Sequence, residues 1–359
     1  MNIKKIGEPR VVMSNPGSIH RYFGWPTVTR LKNGRIALGA SGFRLGHVCP
    51  FGKSVLSYSD DEGQTYTAPA PIIDTVLDDR DVGLCPFGES GLIFTSFNNS
   101  VAFQRSENEK RKEGPIKEYV NAYLNTVSPE AEKEALGLTF RVSYDNGLTF
   151  GPIYKSPITS PHGPLEKADG SILWVGTNYE GGCNIRAYDL DPSTGEMTLL
   201  GKIDTSGIRA LEWIPCEPHA MELSDGTILC HIRTDCYKQG NRAFTLWQSE
   251  SHDGGRTWTE PRRLLEPNGG APSHLLRHSS GMIISTYSYR KAPFGIRAMI
   301  SRDEGKTWEM AGQLYEGKDC DLGYPSTVEL KDGSLLTTFY SKQGDGAVVF
   351  QQRWTMINE

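Results

Sequence analysis

Two residues that could act together as a nucleophile and its base occupy equivalent positions in the sequence. Glu217 lies nine residues before Gly226, Tyr324 lies nine residues before Gly333, and each glycine follows an aspartate, as is typical of a tight turn. A tyrosine hydroxyl, with a pKa of about 10, is a poor nucleophile until a neighbouring base and cations lower that value. Because the two residues share one register, we expect the Glu217 carboxylate to take the Tyr324 proton.

Cationic side chains follow several of the strands that the same spacing predicts. They are Arg44, His47, Arg233 and Arg290. A guanidinium is a planar donor that binds a carboxylate through two hydrogen bonds. A lone arginine at a strand end is more often a surface ion-pair partner, so the interpretation depends on these residues meeting. Other residues in or near this register are Trp25, Asp79, Arg80 and His162. Polar groups on inner strands would otherwise face a costly interior, so we expect a site for an anion.

A repeated octet predicts the hairpins that position these residues. The pattern Ser-x-Asp-x-Gly-x-Thr-aromatic begins at Ser59, Ser143, Ser251 and Ser301. The aspartate can accept backbone N–H groups inside a turn, and the glycine can adopt positive φ. We therefore expect Asp61, Asp145, Asp253 and Asp303 to be structural and to lie far from the ligand site.

A second repeat predicts the fold. A turn glycine followed by a hydrophobic strand occurs at Gly34, Gly91, Gly170, Gly226, Gly281 and Gly333. The spacing fits a four-stranded propeller blade with its loops. The sequence therefore predicts an all-β protein with one six-bladed β-propeller domain over residues 1–359. The glycine turn would form the inner hairpin of each blade, and the octet the outer one.

The longest interval between turn glycines contains an insertion. Residues 105–136 are charged and rich in helix formers, and Ser128-Pro129-Glu130 is typical of a helix start. We expect a partly helical excursion from the propeller. It is either a solvated surface segment, a lid or an oligomer contact.

The sequence resembles the sialidase (neuraminidase) superfamily of six-bladed propellers with Asp-boxes, the repeated octets described above. The likeness spans nearly the whole chain. It is carried by Glu217 in CEPHAMELSDG, Arg233 in LCHIRTD, Arg290 in YSYRKAPFGIRAMIS and Tyr324 in GYPSTVELKDG. The resemblance implies a tyrosine nucleophile, its glutamate base and arginines that hold a substrate carboxylate. A tyrosine nucleophile is the sialidase exception to glycoside hydrolysis by two carboxylates.

Two departures from the family pattern affect the expected site. The first family arginine is missing, because Gly24 stands in the segment Tyr22-Phe23-Gly24-Trp25-Pro26. Arg21 or Arg80 is expected to replace it. His47 stands near the place of the family's aspartate acid/base, so His47 or an aspartate of the 78–81 cluster, such as Asp79, would transfer the proton. Arg44 resembles an additional family arginine.

Composition excludes several classes of protein. The 359 residues carry a net charge of −5, which gives no reason to expect a nucleic-acid partner. No apolar stretch is long enough for a membrane span, and the N-terminal segment lacks a signal-peptide core. The seven cysteines contain no CxxC pair, so we expect no metal site and no disulfide framework. We expect a cytoplasmic protein without a cofactor. Its partner would be an acidic carbohydrate substrate, and it could form a homo-oligomer.

Three functional hypotheses follow. The leading one is an exo-acting glycoside hydrolase of the sialidase type that releases a terminal sialic acid or a related sugar acid. The second is a polysaccharide lyase, in which His47 or Tyr324 takes the proton α to a uronic acid carboxylate. The third is a carbohydrate-binding propeller without catalysis, for which the missing arginine is the main argument.

Overall fold

The computed structural model describes residues 2–238, 241–267 and 269–357, and strands dominate these ranges. The first strands are β1 (Asn2–Met13), β2 (Tyr22–Arg30), β3 (Ile36–Arg44), β4 (Lys53–Ser59), β5 (Ala70–Ile73), β6 (Arg80–Phe87) and β7 (Gly91–Phe97). Helices α1 (Val101–Glu109), α2 (Pro115–Leu124) and α3 (Pro129–Ala135) follow. Next come β8 (Leu138–Ser143), β9 (Tyr154–Ser156), β10 (Leu165–Glu166), β11 (Ile172–Asn178), β12 (Asn184–Leu190), β13 (Met197–Lys202) and α4 (Ser206–Ala210). No helix in the described ranges is long and apolar enough to cross a membrane.

After α4, the described part of the chain contains only strands and loops. Its strands are β14 (Ile214–Glu222), β15 (Ile228–Lys238), β16 (Asn241–Ser251), β17 (Arg262–Arg263), β18 (Ser273–Arg277) and β19 (Ile283–Tyr289). They continue with β20 (Gly295–Ser301), β21 (Glu309–Glu316), β22 (Leu322–Glu329), β23 (Leu335–Gln343) and β24 (Gly346–Ile357). Second strands such as β11 and β19 are almost continuously buried, and apolar clusters fill the space between neighbouring sheets.

The strands form antiparallel sheets in which consecutive strands are neighbours. Four sheets have four strands each: β6 to β9, β10 to β13, β14 to β17 and β18 to β21. The remaining strands form one eight-stranded sheet, in which β2 to β5 lie on one side and β22, β23, β24 and β1 on the other. This all-β, propeller-like arrangement confirms the predicted fold class.

The predicted number of blades is not what the structure shows. Four separate blades are present in the described ranges, instead of six. The difference arises where the ends of the chain meet, because Tyr22 of β2 pairs in parallel with Ala347 of β24. This bridge joins the strands of the first and last repeats into one sheet, and β1 pairs along β24 at its side. Glycine spacing reports the strand repeat but does not detect this connection.

The Asp-boxes form the predicted outer hairpins. Each connects the third strand of its set to the fourth, as between β16 and β17. In the box at Ser251, the Asp253 carboxylate accepts a backbone N–H bond of 2.8 Å and a hydroxyl bond of 2.6 Å from Thr257. The Ser251 hydroxyl donates to Asp253 and accepts from the backbone of Gly255, which has a φ of 97°. The same bonds recur at the other three boxes.

The glycine turns form the inner hairpins, with one exception in detail. Gly226 has a φ of 85° between β14 and β15, and its Cα has open space around it. Between β6 and β7, by contrast, the left-handed residue is Gly88, and the predicted turn residue Gly91 is the first residue of β7. This hairpin loop is therefore shorter than the others. The number of residues between the predicted turn glycine and the left-handed residue of the inner strand therefore differs in this sheet.

The insertion is helical, as predicted, and it packs against the loop that follows β3. The Ser128 hydroxyl caps α3 by accepting from the backbone of Ala131. Val120 and Leu124 of α2 form a buried cluster with Leu45 and Cys49. The insertion thus supports the loop that contains His47.

Candidate active site

A repeated backbone distortion places side chains at one mouth of the central channel. Trp25, Asp81, Glu217 and Tyr324 have φ values of 53°, 55°, 46° and 52°, in the left-handed region that residues other than glycine rarely adopt. Each lies on the innermost strand of its set, where the pairing with the second strand shifts register. Such conformations cost roughly 1–3 kcal/mol each and concentrate at functional sites. The distortion re-aims these side chains out of the regular sheet alternation.

The centre of the site is the pair formed by Tyr324 and Glu217. The Tyr324 hydroxyl donates to Glu217 Oε1 at 2.7 Å, although the two residues are 107 positions apart. Arg233 Nη1 donates to the same hydroxyl at 3.2 Å and also to Glu217 Oε2. Burial, with the Glu217 and Asp81 carboxylates, raises the pKa of Tyr324 well above its usual value, whereas Arg233 and Arg290 lower it. The phenol is therefore protonated in the free protein and has a proton acceptor in contact.

Arg233 is held in place from behind by a second carboxylate. Its Nε and Nη2 donate to the two oxygens of Asp235 at 2.9 and 3.0 Å, in a bidentate pair. Arg242 also contacts Asp235, and the Phe244 ring lies 4.8 Å from the Arg242 guanidinium. These contacts orient Arg233 so that Nη1 faces the Tyr324 and Glu217 pair.

Arg290 provides positive charge without a local counter-ion. Within the described ranges no carboxylate lies within ion-pair distance of its guanidinium, which is 5.4 Å from the centre of the Tyr324 ring. Its Nε donates to the Leu322 carbonyl at 2.8 Å. A side chain at Gly323 would collide with Ser288 and approach Arg290 Nη2 at 3.1 Å. The site therefore needs a glycine next to this arginine, which is free to bind an anion.

Asp81 is the member of the 78–81 cluster that reaches the centre. It is 5% exposed, and its Oδ1 is buried without a hydrogen-bond partner among the described residues. Burial and the Glu217 charge raise its pKa to about 6, against the lowering effect of Arg80, Arg44 and Arg233. We expected Asp79, as the alternative to His47, to be the acid/base of this cluster, but the left-handed residue is Asp81, ten positions before Gly91.

Arg80 occupies the side of the site where Trp25 stands. Its guanidinium lies 4.2 Å from the Trp25 ring centre, and its Nε is buried without a hydrogen-bond partner among the described residues. Asp78 Oδ2 lies 3.5 Å from Arg80 Nη1, and Asp81 Oδ1 lies 3.6 Å from Arg80 Nε. The other candidate for the missing arginine, Arg21, is largely exposed and pairs with Asp345 at the surface.

Arg44 and Asp79 are parts of the framework around this site. Arg44 is fully buried and contacts Asp78, the Ser41 hydroxyl and the carbonyl of His47. Asp79 accepts from Thr75 and Asn98, and burial raises its pKa to about 7. The structure therefore brings Arg44 beneath the cluster and keeps Asp79 outside it. The hydrogen bonds of the Arg44 and Asp79 side chains are thus made to other groups of the protein.

His47 lies at the rim of the site beside an aspartate that sequence reasoning missed. Its side chain is 55% exposed, and its Nδ1 is 3.6 Å from Asp321 Oδ1 and 3.3 Å from the Tyr22 hydroxyl. The Trp25 ring meets the imidazole edge to face at 5.0 Å. Tyr340 also donates to Asp321, at 2.9 Å. A signal for this group exists, because Tyr22, Asp78 and Asp321 each lie three residues before a left-handed residue.

His162 is not part of this cluster. It is 2% exposed and packs against His219 and His274, with ring centres 5.4 and 5.0 Å away. Its Nδ1 is 3.0 Å from the Thr27 hydroxyl. Here Gly163, and not His162, has the left-handed conformation. The predicted register therefore failed in this sheet.

The arrangement combines a phenol in contact with a carboxylate, three arginines, and an exposed imidazole at the rim. It can bind an anionic group at Arg290, Arg233 and Arg80. It can also place an electrophilic carbon against the Tyr324 oxygen while His47 exchanges a proton on the open side.

Comparisons with known proteins place the chain among propellers with the same repeats. A sequence model of the BNR repeat-like domain family matches residues 142–337, more than half of the chain. No curated protein shows significant sequence similarity to it.

Three solved structures illustrate the likeness in fold. A protein of unknown function from Dyadobacter fermentans is 22% identical with a TM-score of 0.77, and the match covers 99% of this chain and 100% of that one. The NanB sialidase from Streptococcus pneumoniae is 13% identical with a TM-score of 0.66, covering 98% and 71%. The intramolecular trans-sialidase from Ruminococcus gnavus is 13% identical with a TM-score of 0.64, covering 98% and 99%. The chain thus has the sialidase fold, and it belongs to the BNR repeat-like domain family.

Proposed function

We propose that the protein is an exo-acting glycoside hydrolase of the sialidase type, which releases a terminal sialic acid or a related sugar acid. The observation that carries this proposal is the 2.7 Å hydrogen bond from the Tyr324 hydroxyl to Glu217, with Arg233 at 3.2 Å from the same oxygen. A tyrosine nucleophile needs a base at this distance. The two halves of the eight-stranded sheet would serve as the fifth and sixth blades around this centre.

The arginines favour a substrate with a carboxylate next to the reacting carbon. Arg290 has no counter-ion in the described ranges, Arg233 faces the nucleophile, and the Nε of Arg80 has no hydrogen-bond partner there. We assign carboxylate binding to these three residues, with Arg80 in place of the missing family arginine. Arg44 would support the site from below, since Asp78 neutralises it. A neutral phenol attacks beside a carboxylate without the repulsion that a carboxylate nucleophile would meet.

The reaction would proceed in two steps. In the first, the Tyr324 oxygen bonds to the anomeric carbon, its proton passes to Glu217, and the glycosidic bond breaks as His47 protonates the leaving oxygen. In the second, His47 takes a proton from water, the water oxygen bonds to the anomeric carbon, and the bond to Tyr324 breaks. Glu217 then returns the proton to the phenol. We prefer His47 to Asp79 as acid/base because its imidazole is exposed at the rim, whereas Asp79 is enclosed.

A substrate screen tests this proposal. Purified protein is incubated with fluorogenic α-glycosides of sialic acid, other nonulosonic acids and uronic acids, and with the matching neutral glycosides. We expect release of the fluorophore from an acidic glycoside only. The absorbance of an unsaturated sugar in the ultraviolet would indicate the lyase instead, and binding without any product would indicate a carbohydrate-binding module. Either result would contradict the proposal.

A further inference from the structure

Asp321 is the centre of a hydrogen-bond network that the two-step reaction leaves unused. The Tyr22 hydroxyl donates to its two oxygens at 2.9 and 3.1 Å, and the Tyr340 hydroxyl donates to Oδ1 at 2.9 Å. Both tyrosines are almost completely buried, with 3% and 1% of their surface exposed. The aspartate is therefore held rigidly between β2, β23 and the segment before β22.

The same carboxylate faces the imidazole of His47. Nδ1 of His47 is 3.6 Å from Asp321 Oδ1 and 3.3 Å from the Tyr22 oxygen. The only proton of the Tyr22 hydroxyl is used in its bond to Asp321, so this oxygen can only accept from His47. Both neighbours of Nδ1 are acceptors, and Nδ1 therefore carries the proton in the neutral ring. This tautomer leaves Nε2 with a free lone pair on the side away from Asp321.

We propose that Asp321 is a positioning residue, which acts directly and through Tyr22 to fix the tautomer and orientation of His47. The inference rests on the proposed function, in which His47 transfers the proton. The imidazolium would donate from Nε2 to the glycosidic oxygen, and the neutral ring would accept from water at the same nitrogen. Nδ1 keeps its proton throughout, and Asp321 remains a carboxylate.

The charges around both groups are consistent with these roles. Burial works to raise the pKa of Asp321, but the contact with His47 and the hydrogen bonds from Tyr22 and Tyr340 lower it to about 2. The charged groups that face His47 from the other packed elements are Arg44 and Arg80, whose guanidinium groups donate to its carbonyl oxygen.

From the insertion, Arg111 donates to the carbonyl of Val48, next to His47. Burial lowers the pKa of His47, and the charges of Arg80 and Arg44 lower it further, so these effects disfavour the imidazolium. Asp321 is the carboxylate that favours it, so the protonated form of His47 depends on this contact.

The test is the titration of His47 by NMR in the wild-type protein and in Asp321→Asn, with His47→Gln to assign the signal. Because an opposite charge at this distance shifts a pKa by about 1–3 units, we expect the His47 pKa to fall by about one unit or more in Asp321→Asn. Tyr340→Phe, which removes one hydroxyl from Asp321, is expected to cause a smaller shift. Asp345→Asn is the matched control, since Asp345 pairs with Arg21 at the surface, and we expect no shift.

Two results separate this inference from the proposed function. An unchanged His47 pKa in folded Asp321→Asn would overturn the positioning role. If Asp321→Asn does not fold, an unchanged pKa in Tyr340→Phe would overturn it as well.

If no acidic glycoside is hydrolysed, the proposed function fails while the NMR shift still decides the contact between His47 and Asp321. With an active enzyme, the limb of the kcat/KM profile that reports His47 should move with its pKa, which a merely structural residue would not cause.

Discussion

The carboxylates of the outer hairpins and those of the channel mouth are stabilised in opposite ways. Asp253 of an Asp-box accepts all its bonds from residues within four positions, and the Thr257 hydroxyl and backbone lower its pKa to about 2. Asp81 is buried in a left-handed backbone with a pKa of about 6, and Glu217 finds its partner 107 residues away. The outer carboxylates stabilise the fold locally. The inner ones are held by the fold at a cost, as expected of a functional site.

Among the carboxylates of the two regions, the largest expected effect comes from Glu217, which accepts the phenol proton. Glu217→Gln keeps the shape of the side chain but cannot accept this proton, and general-base removal typically costs about 10²–10⁴-fold in rate. We therefore expect kcat on the best glycoside of the screen to fall by at least about 100-fold. Asp253→Asn at an outer hairpin is the control, and its kcat should equal that of the wild type. Equal losses in both variants would remove the distinction between the two regions.

The next largest effect concerns the arginine without a counter-ion. Arg290→Ala removes a charged hydrogen-bond donor, worth about 1.5–3 kcal/mol, so kcat/KM should fall roughly 10- to 150-fold. Steady-state kinetics with acidic and neutral glycosides measure this loss. Arg35→Ala, which breaks an exposed pair with Asp60, should leave kcat/KM unchanged. An Arg290→Ala enzyme with wild-type kcat/KM would exclude this residue from substrate binding.

A measurement of the free energy of unfolding tests whether the buried carboxylate of Asp81 destabilises the protein. Burial raises the folded-state pKa of Asp81 to about 6, so the contribution of Asp81 to wild-type stability declines as the pH rises from about 4 through 6. Asp81→Asn lacks this loss, and its free energy of unfolding should exceed that of the wild type by on the order of 2 kcal/mol at neutral pH. Below the unfolded-state pKa of about 4 the two proteins should converge, because Asp81 is then protonated in both states. Denaturant titrations at the two pH values decide this, and a destabilised variant at neutral pH would contradict it.

The smallest effect is expected at the outer hairpins. Asp253→Ala removes hydrogen bonds to a turn and should lower the free energy of unfolding by about 1 kcal/mol. Thermal unfolding measures this change, with Asp225→Ala at an inner glycine turn as a comparison. Substrate preference should be the same as in the wild type. A folded variant with an altered preference would show that the hairpin communicates with the site.

The sequence predicted best what depends on residues close to one another. The Asp-boxes, the cap at Ser128 and the all-β class follow from local patterns, and the structure confirms them. The joining of the first and last sheets did not follow, since one bridge between Tyr22 and Ala347 decides it.

The candidate site was predictable in part for the same reason. Glu217 and Tyr324 lie in equal hairpins, so counting from the glycine found both of them. The shorter loop at Gly88 places the left-handed residue ten positions before Gly91, at Asp81, so a count of nine residues did not find it. Asp321 was missed because its partners come from three distant segments, although it shares with Tyr22 and Asp78 a position three residues before a left-handed residue.

The most direct test of the account is the kinetics of Tyr324→Phe on the best glycoside of the screen. The substitution removes only the attacking oxygen and keeps the ring that packs between Trp25 and Tyr340. We predict that kcat falls by more than about 10³-fold, as for the loss of other nucleophiles, while the dissociation constant measured by calorimetry stays within a few-fold of wild type. A wild-type kcat in folded Tyr324→Phe would contradict the central role of the Tyr324 and Glu217 pair.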